Sequence, residues 1–496
     1  MVEWRSRMEK LPIIICGEVI ECDDTRENIV FEYENGFKVA LPKINEKDIQ
    51  KILDSRLKTG LHETSIDEIS HVFQDVAFSW QGEVCETRDR AIELCNKITG
   101  FPRSLVLKDY ILFTQLFTER GELYDQLDSD LGNYQVLETW LPNKDCYIHA
   151  QPYGIVTNIL VGNIPIVSVF GVYRSLVVKN NTICKVPKND PAGAIMFGLE
   201  LIKKYPDHPL TKSLTIAYWE KDSVEEQKII NGSDVMCLWG GAEALSSLKK
   251  KIPSDVKIIE FGPKRSMSIV DLDLKLSDDT LEDIAYRVAE DFTVYNQEAC
   301  LSPQDLYLKC SDEKVYNEFV DNLIKAFDFG LIKFPKEQIP IDTAAHVLLT
   351  RKENVFLGNK VIATEDSGWS IIFNDGKVEN HPLSRTMFLH RVETLENIVL
   401  EVNKQTQTVA LYPWDLQEKY RDELTLHGVD RIVGIGLTGT PRTGFTHDAH
   451  KPFSEMVRWV NTEKDVQYSG KFFSVDKKVY ANLVKTMYQP FQHNEV

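Results

Sequence analysis

The sequence predicts an α/β protein built on a parallel sheet. Two observations carry that prediction. From about residue 150, short apolar, β-branched runs alternate with helical stretches at a regular spacing, and prolines and glycines fall at the joints between them. A third observation is size: 496 residues, 43% hydrophobic and 10% aromatic, are enough for two or three packed cores and argue against global disorder.

Taken in order, YGIVTNILVG (153–162) reads as a buried strand and IPIVSVFGVYRSLVVKNN (164–181) as a helix, with Pro165 in the first turn where proline is tolerated. TICKVPK (182–188) is a second strand, and PAGAIMFGLELIKKY (191–205) is a long helix that again starts at a proline. LTIAYW (214–219), DVMCLWGG (234–241) and VKIIEFG (256–262) are three further strands, separated by the helical VEEQKII (224–230) and AEALSSLKKKI (242–252). Such βαβ units place ligands at the carboxyl ends of the strands. Upstream, LPIIICGEVI (11–20) has strand character, whereas IDEISHVFQDVAFSW (66–80) and SLVLKDYILFTQLFTE (104–119) have helical apolar spacing. Downstream, LEDIAYRVAEDFTVYNQEA (281–299) reads as a helix opening a second unit with its own helices and strands, such as AAHVLLTR (344–351) and SIIFND (370–375). GIGLTGTPRTGFTHDAHKPF (434–453), rich in Gly, Thr and Pro, reads as surface loop. No flexible linker marks a boundary, so the domains are expected to pack closely.

With 57 basic and 75 acidic residues the net charge is −18, and the pI is about 5.2. That balance argues against nucleic acid as the main partner and means that an anionic ligand needs a local basic pocket. The nine cysteines (16, 22, 85, 95, 146, 184, 237, 300 and 310) are odd in number and sparse, with no metal-site spacing, which suits free thiols in a reducing compartment and no metal. The longest apolar run, ILVGNIPIVSVFGVY (159–173), is too short and too interrupted for a membrane span, and MVEWRSRMEK lacks the order of a signal peptide. A cytoplasmic protein is expected.

Five segments carry candidate chemistry. In YNQEACLSPQ (295–304), Cys300 follows a polar stretch and precedes Pro303, which prevents helical continuation; an edge position of that kind suits a reactive thiol, although a free cysteine is more often a small buried hydrophobe. Glu260 in EFG ends a strand; alone it reads as a surface terminus, but its place at the ligand edge keeps an acid–base role open. WGGAEA (239–244) puts Gly240, Gly241 and Ala242 where a strand gives way to a helix, which permits close backbone approach to a phosphate or nicotinamide without completing a GxGxxG fingerprint. KVPKND (185–190) sets Lys185 and Lys188 at the sheet edge, as solvated lysines or as a ribose and phosphate site. In GNIP (162–165), Asn163 is a turn residue or an oxyanion donor.

In this order, PYGIVTNILVGNIP, TICKVPKNDP, WGGAEA, IIEFGPKRSMSIVD and NQEAC resemble the aldehyde dehydrogenase superfamily, and NQEACLSPQ with EFGPK most closely resembles the long-chain fatty acyl reductases of bacterial luminescence operons, the LuxC type. The landmarks cover about 152 to 305. The resemblance implies an aldehyde-dehydrogenase-like fold: an N-terminal segment and dinucleotide-binding domain over 1–270 (Rossmann-type core about 152–270), a catalytic domain over 271–465, and oligomerisation strands in 135–151 and 466–496. It implies Cys300 as nucleophile, Asn163 with the Cys300 amide as oxyanion hole, Glu260 as general base, Lys185 on the adenine-side ribose, and Gly240, Gly241 and Ala242 beside the nicotinamide. A lysine at Lys188, where many NAD-dependent relatives carry glutamate, favours NADPH.

The implied activity is reduction of a long-chain acyl-CoA or acyl-protein to fatty aldehyde for luminescence. Acyl-protein synthetase and acyl-transferase partners and a homo-oligomer go with it. Two features depart from the superfamily pattern: Gln297-Glu298-Ala299 replaces the usual glycine–glutamine pair, and HPLSRTMF (381–388) replaces the glutamate that clamps the nicotinamide-side ribose. The alternatives are an aldehyde-oxidising dehydrogenase and a non-catalytic superfamily member.

Overall fold

The computed structural model describes residues 8–118, 121–336, 339–374, 376, 378, 380–464 and Lys485. The chain forms two compact units, Met1–Tyr134 with Pro152–Val457, and Gln135–Gln151 with Arg458–Val496.

The first unit contains two seven-stranded sheets. The five strands read from the repeat at 153–262 form one of them, at Ile155–Ile159, Asn181–Lys185, Leu214–Ala217, Val235–Trp239 and Lys257–Phe261, all parallel. Their spatial order runs 257–261, 235–239, 155–159, 181–185, 214–217, and the hairpin of Ile13–Ile15 and Glu18–Ile20 completes the edge in antiparallel sense. LPIIICGEVI is therefore two short strands, broken where Cys16 and Gly17 both adopt positive φ. The chain builds outward from 155–159 to 214–217, then returns to the other side of 155–159. That reversal opens a crevice at the carboxyl ends of 155–159 and 235–239.

The helices Pro165–Val177 and Ala192–Lys204 are almost wholly buried, which explains why their sequences are apolar nearly all round. Part of their cover comes from Ile66–Gln81, Glu86–Thr99 and Arg103–Thr118. Phe113 on the last of these meets the rings of Phe117, Phe170, Tyr173 and Phe197 at centroid distances of 5.2–5.7 Å. The N-terminal region thus acts as a packed helical layer against the sheet helices.

In the second sheet the order is 361–363, 370–373, 386–392, 303–309, 265–271, 406–412, 431–434, parallel except for the first pair. AAHVLLTR lies within the helix Ile341–Phe356, and SIIF is the strand Ser370–Phe373. Phe292, Phe319, Phe327, Trp369, Leu306 and Leu389 share one core between this sheet and the helices Leu281–Thr293 and Glu313–Lys333.

Two expectations need correction here. The helix read over 281–299 ends at Thr293, because Tyr295, Asn296 and Gln297 take left-handed φ of 54°, 52° and 63°. Three consecutive non-glycine residues in that region are costly and persist only where surroundings over-determine them. Gln297 Nε2 donates to the carbonyls of Pro303 and Thr386 (both 2.8 Å), its Oε1 accepts from Thr386 N (2.7 Å), and Asn296 Oδ1 accepts from Arg385 Nε (2.8 Å). The facing Leu383, Ser384 and Arg385 are left-handed as well, and Ser384 N donates to Asn296 O (2.8 Å). Segment 434–453, read as surface loop, is irregular and lies mostly at the surface, the correction being confined to a few residues turned inward: Thr438 is fully buried and Asp448 is 7% exposed. The buried carboxylate of Asp291 pulls it in, accepting from Gly436 N (2.7 Å), Thr438 N (3.1 Å) and Thr438 Oγ1 (2.8 Å).

The second unit holds Leu141–Asn143 antiparallel to Cys146–Pro152 in a three-stranded sheet with Val457–Glu463. Strands thus occupy 135–151, whereas 466–496 lies, Lys485 apart, outside the described residues. Among the described residues no helix is long and apolar enough to cross a membrane, and all nine cysteines are free.

Candidate active site

The crevice is a cavity of about 460 Å³. Four carboxyl-end turns of the first sheet line it: Leu160–Ile164, Pro187 with Asn189, Trp239–Gly241 and Phe261–Lys264. Glu298–Leu301 and the 439–448 loop close it, and Leu112, Ile166, Val167 and Phe170 make one wall apolar.

Each turn reaches the cavity for a local reason. Gly162 has no room for a side chain: an added Cβ would lie 2.5 Å from Asn189 Oδ1 and 2.8 Å from Asp190 N. This close approach sets Asn163 at the rim. Asn163 Nδ2 donates to Glu298 O (2.8 Å), which leaves its second N–H available, and its Oδ1 is buried without a partner. Gly240 has φ of 152°, and Gly241, the residue before the Ala242–Lys249 helix, has nothing within 4 Å of a would-be Cβ, so open space lies against this backbone.

Cys300 is half-buried in the cavity wall. Gln407 Nε2 donates to its Sγ (3.1 Å) and also to Asp448 Oδ1. Burial pushes the Cys300 thiol up to about 12, the Asp448 carboxylate adds to that rise, and the Gln407 amide and the backbone N–H groups of Cys300 and Leu301 oppose it. The folded site thus favours the neutral thiol over the thiolate that a nucleophile needs. Substituting Asp448→Asn removes the negative charge, so the Cys300 peptide should be alkylated by iodoacetamide about 3–10-fold faster at pH 8, read by mass spectrometry against the other eight cysteines.

Asn163, Gly240, Gly241 and Cys300 thus line one cavity. Lys185 and Lys188 line an adjoining cleft of about 390 Å³ with Tyr218, Glu220 and Lys221, and the two spaces share Leu160 and Pro187. Lys185 Nζ lies 3.4 Å from Glu226 Oε1 and close to the Tyr218 and Trp219 rings; burial lowers its pKa. Ala242 opens its helix but does not line the cavity. Glu260 ends its strand as expected, yet it is absent from the cavity wall and its Oε2 accepts from Lys249 Nζ (2.6 Å). Sequence reasoning missed Gln407 and Asp448, which lie more than 100 residues from Cys300 in the chain and carry no local signal.

The two-sheet fold, with a cysteine at the mouth of a dinucleotide-type crevice, is that of the aldehyde dehydrogenases. Aldehyde dehydrogenase 21 from Physcomitrella patens, solved with succinate, superposes with a TM-score of 0.71 at 14% identity, covering 93% of this chain and 99% of that one. The NADP-dependent glyceraldehyde-3-phosphate dehydrogenase from Bacillus halodurans, solved with NADP, gives 0.69 at 12% identity, with 91% and 98% covered. Within that class the chain belongs to the acyl-CoA reductase (LuxC) family, whose profile matches residues 61–459. It is 33% identical to the long-chain acyl-protein thioester reductase of Aliivibrio fischeri over 470 residues (94% of this chain, 96% of the relative). It is 31% identical to that of Vibrio harveyi over 474 residues (95% and 96%).

Proposed function

We propose that this protein reduces a long-chain acyl thioester to the fatty aldehyde through an acyl-Cys300 intermediate. The observation that supports this best is the single cavity in which the Cys300 sulfur, the Asn163 amide and the open Gly240–Gly241 backbone meet beside an apolar wall. The relatives' activity, reduction of acyl-protein thioesters, agrees with it. A second cavity shares Leu112, Ile166, Phe170 and Phe445 with the first, which provides apolar surface for a fatty chain.

Cys300 attacks the thioester carbonyl and expels the donor thiol, which splits one hard step into two easier ones. The second N–H of Asn163 and the Cys300 backbone N–H hold the oxyanion of each tetrahedral species. A reduced nicotinamide dinucleotide, when bound, supplies the hydride that converts the acyl group to aldehyde. The residues present fit that cofactor. Gly240 and Gly241 offer backbone with clear space against it, and the Lys185–Lys188 cleft continues from the same crevice at the sheet edge.

Lys188 and Lys221 bring two cations to that cleft, which supports NADPH over NADH. Lys188→Glu should lower kcat/KM for NADPH about 10–100-fold and change that for NADH by less than about threefold, in initial-rate assays at fixed acyl substrate. Acyl donation by an acyl-protein synthetase and acyl transferase, aldehyde supply to a luciferase, and a homo-oligomer belong to the same proposal.

The decisive experiment is incubation with radiolabelled tetradecanoyl-CoA in the absence of cofactor. Stable protein label that NADPH discharges as aldehyde is the expected result. Rapid release as free acid would instead identify an aldehyde-oxidising enzyme.

A further inference from the structure

The neutral Cys300 thiol raises a question of proton balance. Acyl transfer moves one proton from Cys300 to the departing thiol, and reduction of the acyl-enzyme consumes one proton when the sulfur is released. Some group in the cavity must carry both.

Besides Cys300 the cavity walls hold seven ionisable side chains, and six of them are committed. Lys264 pairs with Asp430 (2.8 Å). Arg431 donates to the carbonyls of Leu437 and Thr438 (3.0 and 2.8 Å), and Tyr295 Oη donates to Asp109 (2.7 Å). His447 Nδ1 meets Arg174 Nη1 (2.9 Å). Asp448 accepts from Gln407, whose amide stands between it and Sγ. The exception is Glu298. Its backbone is fixed on both sides, the N–H donating to Tyr295 O (2.9 Å) and the carbonyl accepting from Asn163 (2.8 Å), while the residue is exposed and lines the cavity two positions before the nucleophile, and among the described residues its carboxylate has no ion pair.

We propose that Glu298 is the proton shuttle for both steps at Cys300, an inference that rests on the acyl-thioester reading above. During acyl transfer the Glu298 carboxylate takes the Sγ proton, the sulfur–carbonyl bond to Cys300 forms, the donor's carbon–sulfur bond breaks, and the Glu298 acid protonates the donor sulfur. During reduction, hydride from the reduced nicotinamide dinucleotide ends on the carbonyl carbon and the carbon–Sγ bond breaks. Glu298, reprotonated from water after the donor thiol has left, protonates Sγ and returns to the carboxylate. The balance is acyl-enzyme + NAD(P)H + H⁺ → aldehyde + free thiol + NAD(P)⁺.

The surroundings tune Glu298 for this role. Crowding by protein pushes its pKa up to about 7, opposed by the Lys336 ammonium beyond it. Lys336 is itself held by the Ser367 and Ser384 carbonyls (2.8 and 2.9 Å), and its pKa is lowered to about 7 by burial and by the charges of Arg385 and Arg351. Glu260, the glutamate to which the resemblance points, does not line the cavity and pairs with Lys249 (2.6 Å).

The test is rapid-quench acylation of the intact protein by radiolabelled tetradecanoyl-CoA, followed by NADPH discharge, across pH 5.5–9. In the wild type the acylation rate should rise with pH through a step near 7, as the carboxylate forms, and discharge should fall through the same step. Glu298→Gln should slow acylation at pH 7 about 100-fold or more and remove both steps. Glu298→Asp should retain them at reduced rate, which a merely structural role would not produce. A Glu298→Gln protein within threefold of wild type with both steps intact would overturn the proposal, as would loss of the steps in Glu260→Gln instead. Absence of any label on the wild type would overturn the acyl-thioester reading itself, a result distinct from either.

Discussion

Cys300→Ser abolishes covalent acylation by tetradecanoyl-CoA and lowers aldehyde production by about 10⁴-fold or more: that is the largest effect expected of any single substitution here. The serine hydroxyl is a far poorer nucleophile than sulfur, and a carboxylate such as Glu298 is too weak a base to activate it. Gln407, the donor at Sγ, is an amide, and the Asp448 carboxylate is engaged by that same amide. Stability should be little altered, since Cys300 is half-buried and the change removes little packing. Label incorporation and aldehyde yield should therefore collapse together while the thermal midpoint stays close to that of the wild type. Unchanged aldehyde production would mean that the chemistry does not run through this sulfur.

The second large effect is expected at Asn163. One N–H of this side chain holds Glu298 O (2.8 Å), and under the proposed mechanism the other binds the oxyanion. Asn163→Ala removes a preorganised donor, a loss worth about 10²–10³ in rate. Single-turnover measurements should show both acylation and NADPH-dependent discharge slowed, because each passes through an oxyanion on the same carbon. The apparent affinity for the acyl donor should change much less. If acylation and discharge kept wild-type rates and only affinity fell, Asn163 would be a binding residue outside the oxyanion site.

How much of this was legible in the chain follows from the range over which each signal acts. Strands and helices from 153 to 262 were readable because their apolar periodicity and their proline and glycine joints are local properties, and every element lies within a few residues of its expected place. In the helix Ile341–Phe356 the buried residues Val347, Thr350, Arg351 and Asn354 fall at helical spacing, but three of them are polar, so this face is set by tertiary contacts and not by an apolar pattern. The left-handed turn before Cys300 was not readable. Nothing in VYNQEA disfavours a helix; bonds from Thr386 and Arg385, nearly 90 residues away, impose the break.

By itself, then, the sequence determined the first sheet, its ligand edge, and the residues Asn163, Gly240 and Gly241 that fall there, because strand ends are set by neighbours in the chain; Cys300 lies ahead of the strand Pro303–Lys309 of the other sheet, and only the tertiary structure brings it to the same cavity. Only the tertiary structure decided the state and company of the sulfur. The Gln407 amide and the Asp448 charge reach it from distant segments, and burial keeps it protonated. Only the tertiary structure, too, separated the two glutamates: Glu260 is drawn to Lys249 and Glu298 is left open to the cavity. Protonation depends on desolvation and nearby charge, which are properties of assembled space, and no spacing of letters along a chain encodes them.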